Sequence, residues 1–201
     1  RHAEQTRALE PRVAAELWAL AVLRLAASDP QAAASELSGA PPVNLGADGE
    51  AWLWHGVAKQ AAMKLQPQAD DWFARAGANP RARPELSDDT LAWKVRAALR
   101  GQPTAARWQR VLQAVDAMSP ETRRADPAWT YWKGRAQLAL AAPGEAGESA
   151  RTHGRATLST IATHLSFYGK LAAEDLGQVQ PLPPHPAPLS PTERENATRH
   201  P

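Results

Sequence analysis

Few residues of this chain are spaced as acid–base or metal chemistry requires. The six histidines, His2, His55, His153, His164, His185 and His200, show no paired metal-ligand spacing. His55 directly follows Trp54 and reads as an ordinary helix residue. Two adjacent carboxylate pairs occur, Asp70-Asp71 and Asp88-Asp89. Acid–base work needs surroundings that push two acidities apart. Both pairs fall instead at early helical turns, where negative charge is favourable for its own reasons. There is no cysteine, which removes disulfides, thiol nucleophiles and thiolate metal sites together. No Gly-rich phosphate loop and no nucleophile elbow is present. The sequence therefore assigns no catalytic residue, no cofactor-binding residue, no cofactor and no metal ligand.

Its most pronounced chemical feature is a concentration of positive charge. From Lys94 to Arg135 there are nine basic residues against Asp116, Glu121 and Asp126, a net +6, whereas the whole chain carries +2. Residues two apart on a helix diverge by about 200°, so Lys94 and Arg96 cannot line one surface. Arg96 and Arg100, four apart, can. Arg107, at the start of a return helix, can join them. Arg135 belongs with this set if the repeat described below holds. Two roles are open for Arg96, Arg100 and Arg135. They can face a concave surface and attract an acidic polymer. They can equally pair with Asp88, Asp89 or Asp126 and tie helices together.

The elements that carry these residues read as helices throughout. Ala dominates the apolar set, β-branched residues are scarce, and eight Trp supply buried bulk. A first helix runs from about Pro11 to Ala27. Asp29 caps a short second helix, with Pro30 in its first turn, ending near Gly39. Asp48 opens a third, to about Leu65, and Gln66-Pro67 restarts a fourth, through Trp72 and Phe73 to Gly77. Ser87 or Asp88 caps a fifth, ending at Gly101. Pro103 begins a sixth. Ser119-Pro120 starts a short turn and Asp126-Pro127 a longer helix to about Ala141. Pro143 to Ser149 reads as a loop or insertion, with helix resuming near Arg151. A last helix begins at about Ser166 and ends at Gly177, a natural left-handed cap. The six prolines from Pro181 to Pro191 exclude regular helix. Residues 1–177 thus read as one helical-repeat domain. Residues 178–201 read as a Pro-rich linker toward a further region that the chain does not complete. No run is long and apolar enough to span a membrane, and no signal peptide is visible at Arg1. If the protein is exported, this is its processed form or an excised segment.

The strongest internal pattern is a spacing of tryptophans. Trp54, Trp93 and Trp132 lie 39 residues apart, each followed four positions later by Ala58, Ala97 or Ala136. A helix pair with its turns takes a comparable length in helical repeats. A Trp and an Ala at i and i+4 share one face and let a neighbouring helix interlock. The expected fold is all-α, a superhelical array of antiparallel helix pairs forming a right-handed solenoid, with the three indoles buried at equivalent positions.

Two stretches carry a family likeness. One is Trp129-Thr130-Tyr131-Trp132-Lys133-Gly134-Arg135-Ala136. The other is Ser166-Phe167-Tyr168-Gly169-Lys170-Leu171-Ala172-Ala173-Glu174-Asp175-Leu176-Gly177. In this order they resemble the superhelical region of soluble lytic murein transglycosylases. Leu91 to Leu99 with Trp108, and Ala51 to Trp54 with Asp71 to Ala76, are similar to preceding repeats of that family. The resemblance implies a periplasmic, non-catalytic superhelical domain that scaffolds the enzyme. Its implied partners are peptidoglycan glycan strands and a C-terminal lysozyme-like domain of the same protein; Arg96, Arg100 and Arg135, chosen by charge and spacing, are the candidate contacts to peptidoglycan. In the family that domain cleaves peptidoglycan with a single Glu. Gly147-Glu148-Ser149-Ala150 lacks the continuation of that catalytic motif, so the Glu is carried onto no residue here. The alternative is a stand-alone helical-repeat adaptor that binds a protein through a concave groove. Nucleic-acid binding is disfavoured, because the repeat shows no base-reading code at fixed positions.

Overall fold

The computed structural model describes residues 10–39, 41–179 and 187–199, and it is all-helical across them. Eleven α-helices follow in chain order: α1 Pro11–Ser28, α2 Pro30–Ser38, α3 Gly46–Met63, α4 Ala69–Ala76, α5 Asp88–Arg100, α6 Ala105–Ala117, α7 Pro120–Ala125, α8 Pro127–Leu140, α9 Glu148–Ser159, α10 Phe167–Asp175 and α11 Pro191–Arg199. Among the described residues no helix is long and apolar enough to cross a membrane.

Local chemistry explains most boundaries. Asp29 accepts the Ala32 N–H and Ser87 the Thr90 N–H, so each satisfies a first-turn donor that has no partner within its helix. Asp126 does the same for Ala128, ahead of Pro127. Ser166 accepts the Gly169 N–H. Gly177, just past α10, adopts φ +70°, the expected left-handed cap. Asp48 sits inside the first turn of α3 rather than capping it, and its carboxylate accepts the Arg83 N–H.

The stretch from Pro143 to Ser149 departs from the loop reading. A short 3-10 turn, Glu145–Gly147, leads straight into α9, which begins at Glu148 rather than near Arg151. Arg151 explains the difference. Its guanidinium donates to the carbonyls of Ala142 and Gly144 and to the Glu148 carboxylate, folding the link onto the helix. Of the Pro-rich segment, residues 180–186 lie outside the described residues. Beyond it lies α11, whose residues are all exposed.

The helices pack as chain neighbours, α1 on α2, α3 on α4, α5 on α6 and α8 on α9. Successive pairs meet through α1 on α3, α3 on α5 and α6 on α8. Four apolar clusters fill the seams. The alanines of the 39-residue pattern, Ala58, Ala97 and Ala136, are all buried. The tryptophans are not equivalent. Trp54 is enclosed, at 2% exposure, while Trp93 and Trp132 are half-buried. Trp54 is covered by α1, α2 and α4, whereas the other two indoles border an open cleft.

A small residue in the second motif stretch lets α10 fold back against the turn that precedes it. A Cβ on Gly169 would lie 2.2 Å from the His164 carbonyl oxygen and 2.8 Å from that of Ile161. Both obstacles are backbone, so neither can swing aside. Gly169→Ala is therefore expected to destabilise the fold by about 2 kcal/mol, read as a lower urea midpoint at unchanged m-value. The neighbouring Phe167–Tyr168 pair divides in role. Tyr168 packs on Tyr131 and Trp132, with ring centroids 5.4 and 6.4 Å away. Phe167 is 70% exposed and anchors nothing in the core.

Candidate functional site

One cleft of about 830 Å³ gathers residues from several helices and turns of the chain. The turn after α3 contributes Gln66, α5 contributes Trp93, Arg96 and Arg100, α8 contributes Trp132, and α10 contributes Tyr168. The α5 residues share a side because 93, 96 and 100 follow the three-and-four spacing of one helical face. Lys94 falls elsewhere, as the helical wheel requires. Burial, and then the neighbouring Arg110 charge, hold its ammonium below the usual lysine range.

The floor of the cleft carries a neutralised pair. Arg110 donates through Nε to Asp70 Oδ1 at 2.9 Å and through Nη2 to Oδ2 at 2.5 Å. Asp70 is only 8% exposed, so this fork-shaped pair is how its charge is accommodated. Gly101 lies against it, and a Cβ there would meet Asp70 Oδ2 at 2.8 Å.

The arginines differ sharply in their company. The Arg96 guanidinium lies 4.9 Å from the Trp93 ring centroid and 5.4 Å from that of Trp129, a double cation–π seat. Arg100 is exposed at the C-terminus of α5. Neither has a carboxylate partner among the described residues. Arg135 does not line the cleft. It donates to the Tyr131 hydroxyl at 3.1 Å and forms an ion pair with Asp175 at 3.0 Å. The structure thus brings together two of the three arginines singled out by charge and spacing.

The acidic residues considered as partners are engaged elsewhere. Asp88 accepts from the Ser119 N–H at 2.9 Å, the Ser119 hydroxyl at 2.6 Å and the Thr122 hydroxyl at 2.6 Å. Those hydrogen bonds, Ser119 first, hold its carboxyl below the usual aspartate range. Asp89 pairs with Lys59 at 2.5 Å, and Asp126 caps α8. Glu148 pairs with Arg151 at 2.8 Å. No group of three metal-ligating side chains converges among the described residues.

Two residues that sequence reasoning passed over now stand out. Gln66 lines the cleft, and its Oε1 is buried with no donor among the described residues. His55 is 3% exposed. Its Nδ1–H donates to the Ala51 carbonyl at 2.7 Å and its Nε2 has no partner among the described residues. Burial, offset in part by that hydrogen bond and reinforced by the Lys94 charge, lowers its pKa from 6.5 to about 4. It is neutral at pH 7. No local sequence signal marks either residue, because both depend on what a distant helix covers.

No protein-family model matches this chain, and no curated protein matches it.

Proposed function

We propose that this chain is the non-catalytic helical part of a periplasmic peptidoglycan lytic transglycosylase, scaffolding that enzyme and contacting murein strands. In this reading the helix pairs form a right-handed superhelical array, and a C-terminal lysozyme-like domain is the partner that cleaves. The order and composition of the stretches 129–136 and 166–177 support it. The observation that carries the contact role is the pair Arg96 and Arg100, with no carboxylate partner among the described residues and beside aromatic rings. Stem-peptide carboxylates are the complementary charge. Arg135, held by Asp175, is a helix tie in this reading rather than a contact.

The test is binding of the purified chain to isolated sacculi at low and high salt. Binding that weakens with salt is expected, and Arg96→Glu with Arg100→Glu should remove most of it. The chain alone should release no anhydromuropeptides. A folded double variant that binds like the parent, with the same salt dependence, would sink the contact role.

A second reading, a helical-repeat adaptor for a protein partner, is favoured by one observation. Val13, Leu17 and Leu20 form an exposed apolar stripe on α1.

A further inference from the structure

We infer that the cleft between α5, α8 and α10 is a binding site for a small ligand that combines a ring body with one carboxylate. The assignment goes beyond murein contact and stands on the cleft alone.

The cleft volume of about 830 Å³ lies in the range of small-molecule sites. The walls set the body of the ligand. Trp93, Trp132 and Tyr168 come from three different helices and all border the same space. Flat ring faces at those positions take a sugar or an aromatic ring and give a flexible chain little.

Charge sets the second feature. The lining carries Arg96, Arg100 and Arg110 against Asp70 and Asp71. Arg110 and Asp70 cancel each other, which leaves Arg96 and Arg100 against Asp71, a net of one positive charge. The Arg96 guanidinium is seated over the rings of Trp93 and Trp129, and none of its N–H groups donates to a partner among the described residues. A guanidinium already held in place by two rings engages a carboxylate with little further loss of freedom. Arg100, one turn on, offers a second set of donors.

A ring-bearing acid supplies both features at once.

Two chemical sources carry this pattern, sugar acids and N-acylated aromatic amino acids, and calorimetry on the full chain separates them. The probes are N-acetylmuramic acid against N-acetylglucosamine, and N-acetylphenylalanine against its amide. At least one acid should bind with a Kd below about 1 mM, and its uncharged counterpart about tenfold more weakly. Arg100→Gln, an exposed position that leaves the fold intact, should weaken binding of that acid about tenfold. Failure of both acids to bind at about ten times that concentration would overturn the site. So would binding indifferent to Arg96→Gln with Arg100→Gln. An acid that binds while sacculi do not would uphold the cleft and sink the murein reading. Sacculus binding with both acids inert would sink the cleft alone.

Discussion

Replacing Trp54 by Ala is expected to lower the unfolding free energy by about 4 kcal/mol, measured by urea denaturation at pH 7.5. Trp54 is 2% exposed and sits in the cluster of Val22, Ala26, Leu37, Leu53 and Val57. Trp72 lies beside it, with ring centroids 6.4 Å apart, and the Arg75 guanidinium lies 4.2 Å from its ring centroid. Truncation removes the ring from the seam of three helices and leaves a void that small alanines cannot fill. The indole Nε1 is itself buried without an acceptor. Trp54→Phe removes that orphan donor along with part of the ring, so it should cost about 1–2 kcal/mol, well below the alanine variant. Equal losses for the two variants would show that ring volume does not hold this seam. Trp132→Ala should cost less than Trp54→Ala, since Trp132 is half-buried and faces the cleft.

Acid should weaken the fold well above the range where carboxylates titrate. His55 has a pKa near 4 in the folded chain against 6.5 when free, because burial penalises its charged form. Between those values the unfolded chain binds the extra proton, so stability rises with pH across this window. The contribution is fully present above about pH 6.5 and is lost as pH falls toward 4. About 2.5 pKa units correspond to about 3 kcal/mol. Asp88, held below the usual aspartate pKa, acts in the same direction but at lower pH. Urea midpoints between pH 7.5 and 4.5 therefore isolate His55. The parent should lose most of that 3 kcal/mol across the range, and His55→Gln should flatten the dependence. A parent whose midpoint is constant over this interval would show that the imidazole is not held neutral.

Helix boundaries were legible wherever one residue decides them. Asp29, Ser87 and Asp126 cap by local hydrogen bonds, and Gly177 ends α10 through its own dihedral freedom. Features that depend on a second helix were not. Equal spacing placed Trp54, Trp93 and Trp132 on corresponding helices, yet their burial differs because only the first is covered from both sides. Arg135 matches Arg96 in the repeat, but Asp175, 40 residues later in sequence, holds it. The face shared by Arg96 and Arg100 followed from helical geometry alone. The walls that Trp132 and Tyr168 add to it, and the stranded oxygen of Gln66, follow from tertiary packing. Arg151 redrew the boundary of α9 because a long side chain can reach back to carbonyls seven and nine residues earlier.

The Asp88 carboxylate joins two helix beginnings. It occupies the first turn of α5 and also receives both donors of Ser119, the residue that caps α7, together with the hydroxyl of Thr122 inside α7. One anion therefore answers to two positive helix ends separated by α6. Fraying of α7 would strip this carboxylate of three donors, and fraying of α5 would carry the acceptor away from α7. Neither end can open at its own cost alone, so the span from α5 through α7 behaves as one cooperative unit in local opening. The cleft arginines Arg96 and Arg100 are borne on the first helix of that unit, and their spacing is as steady as the whole unit rather than as a single thirteen-residue helix.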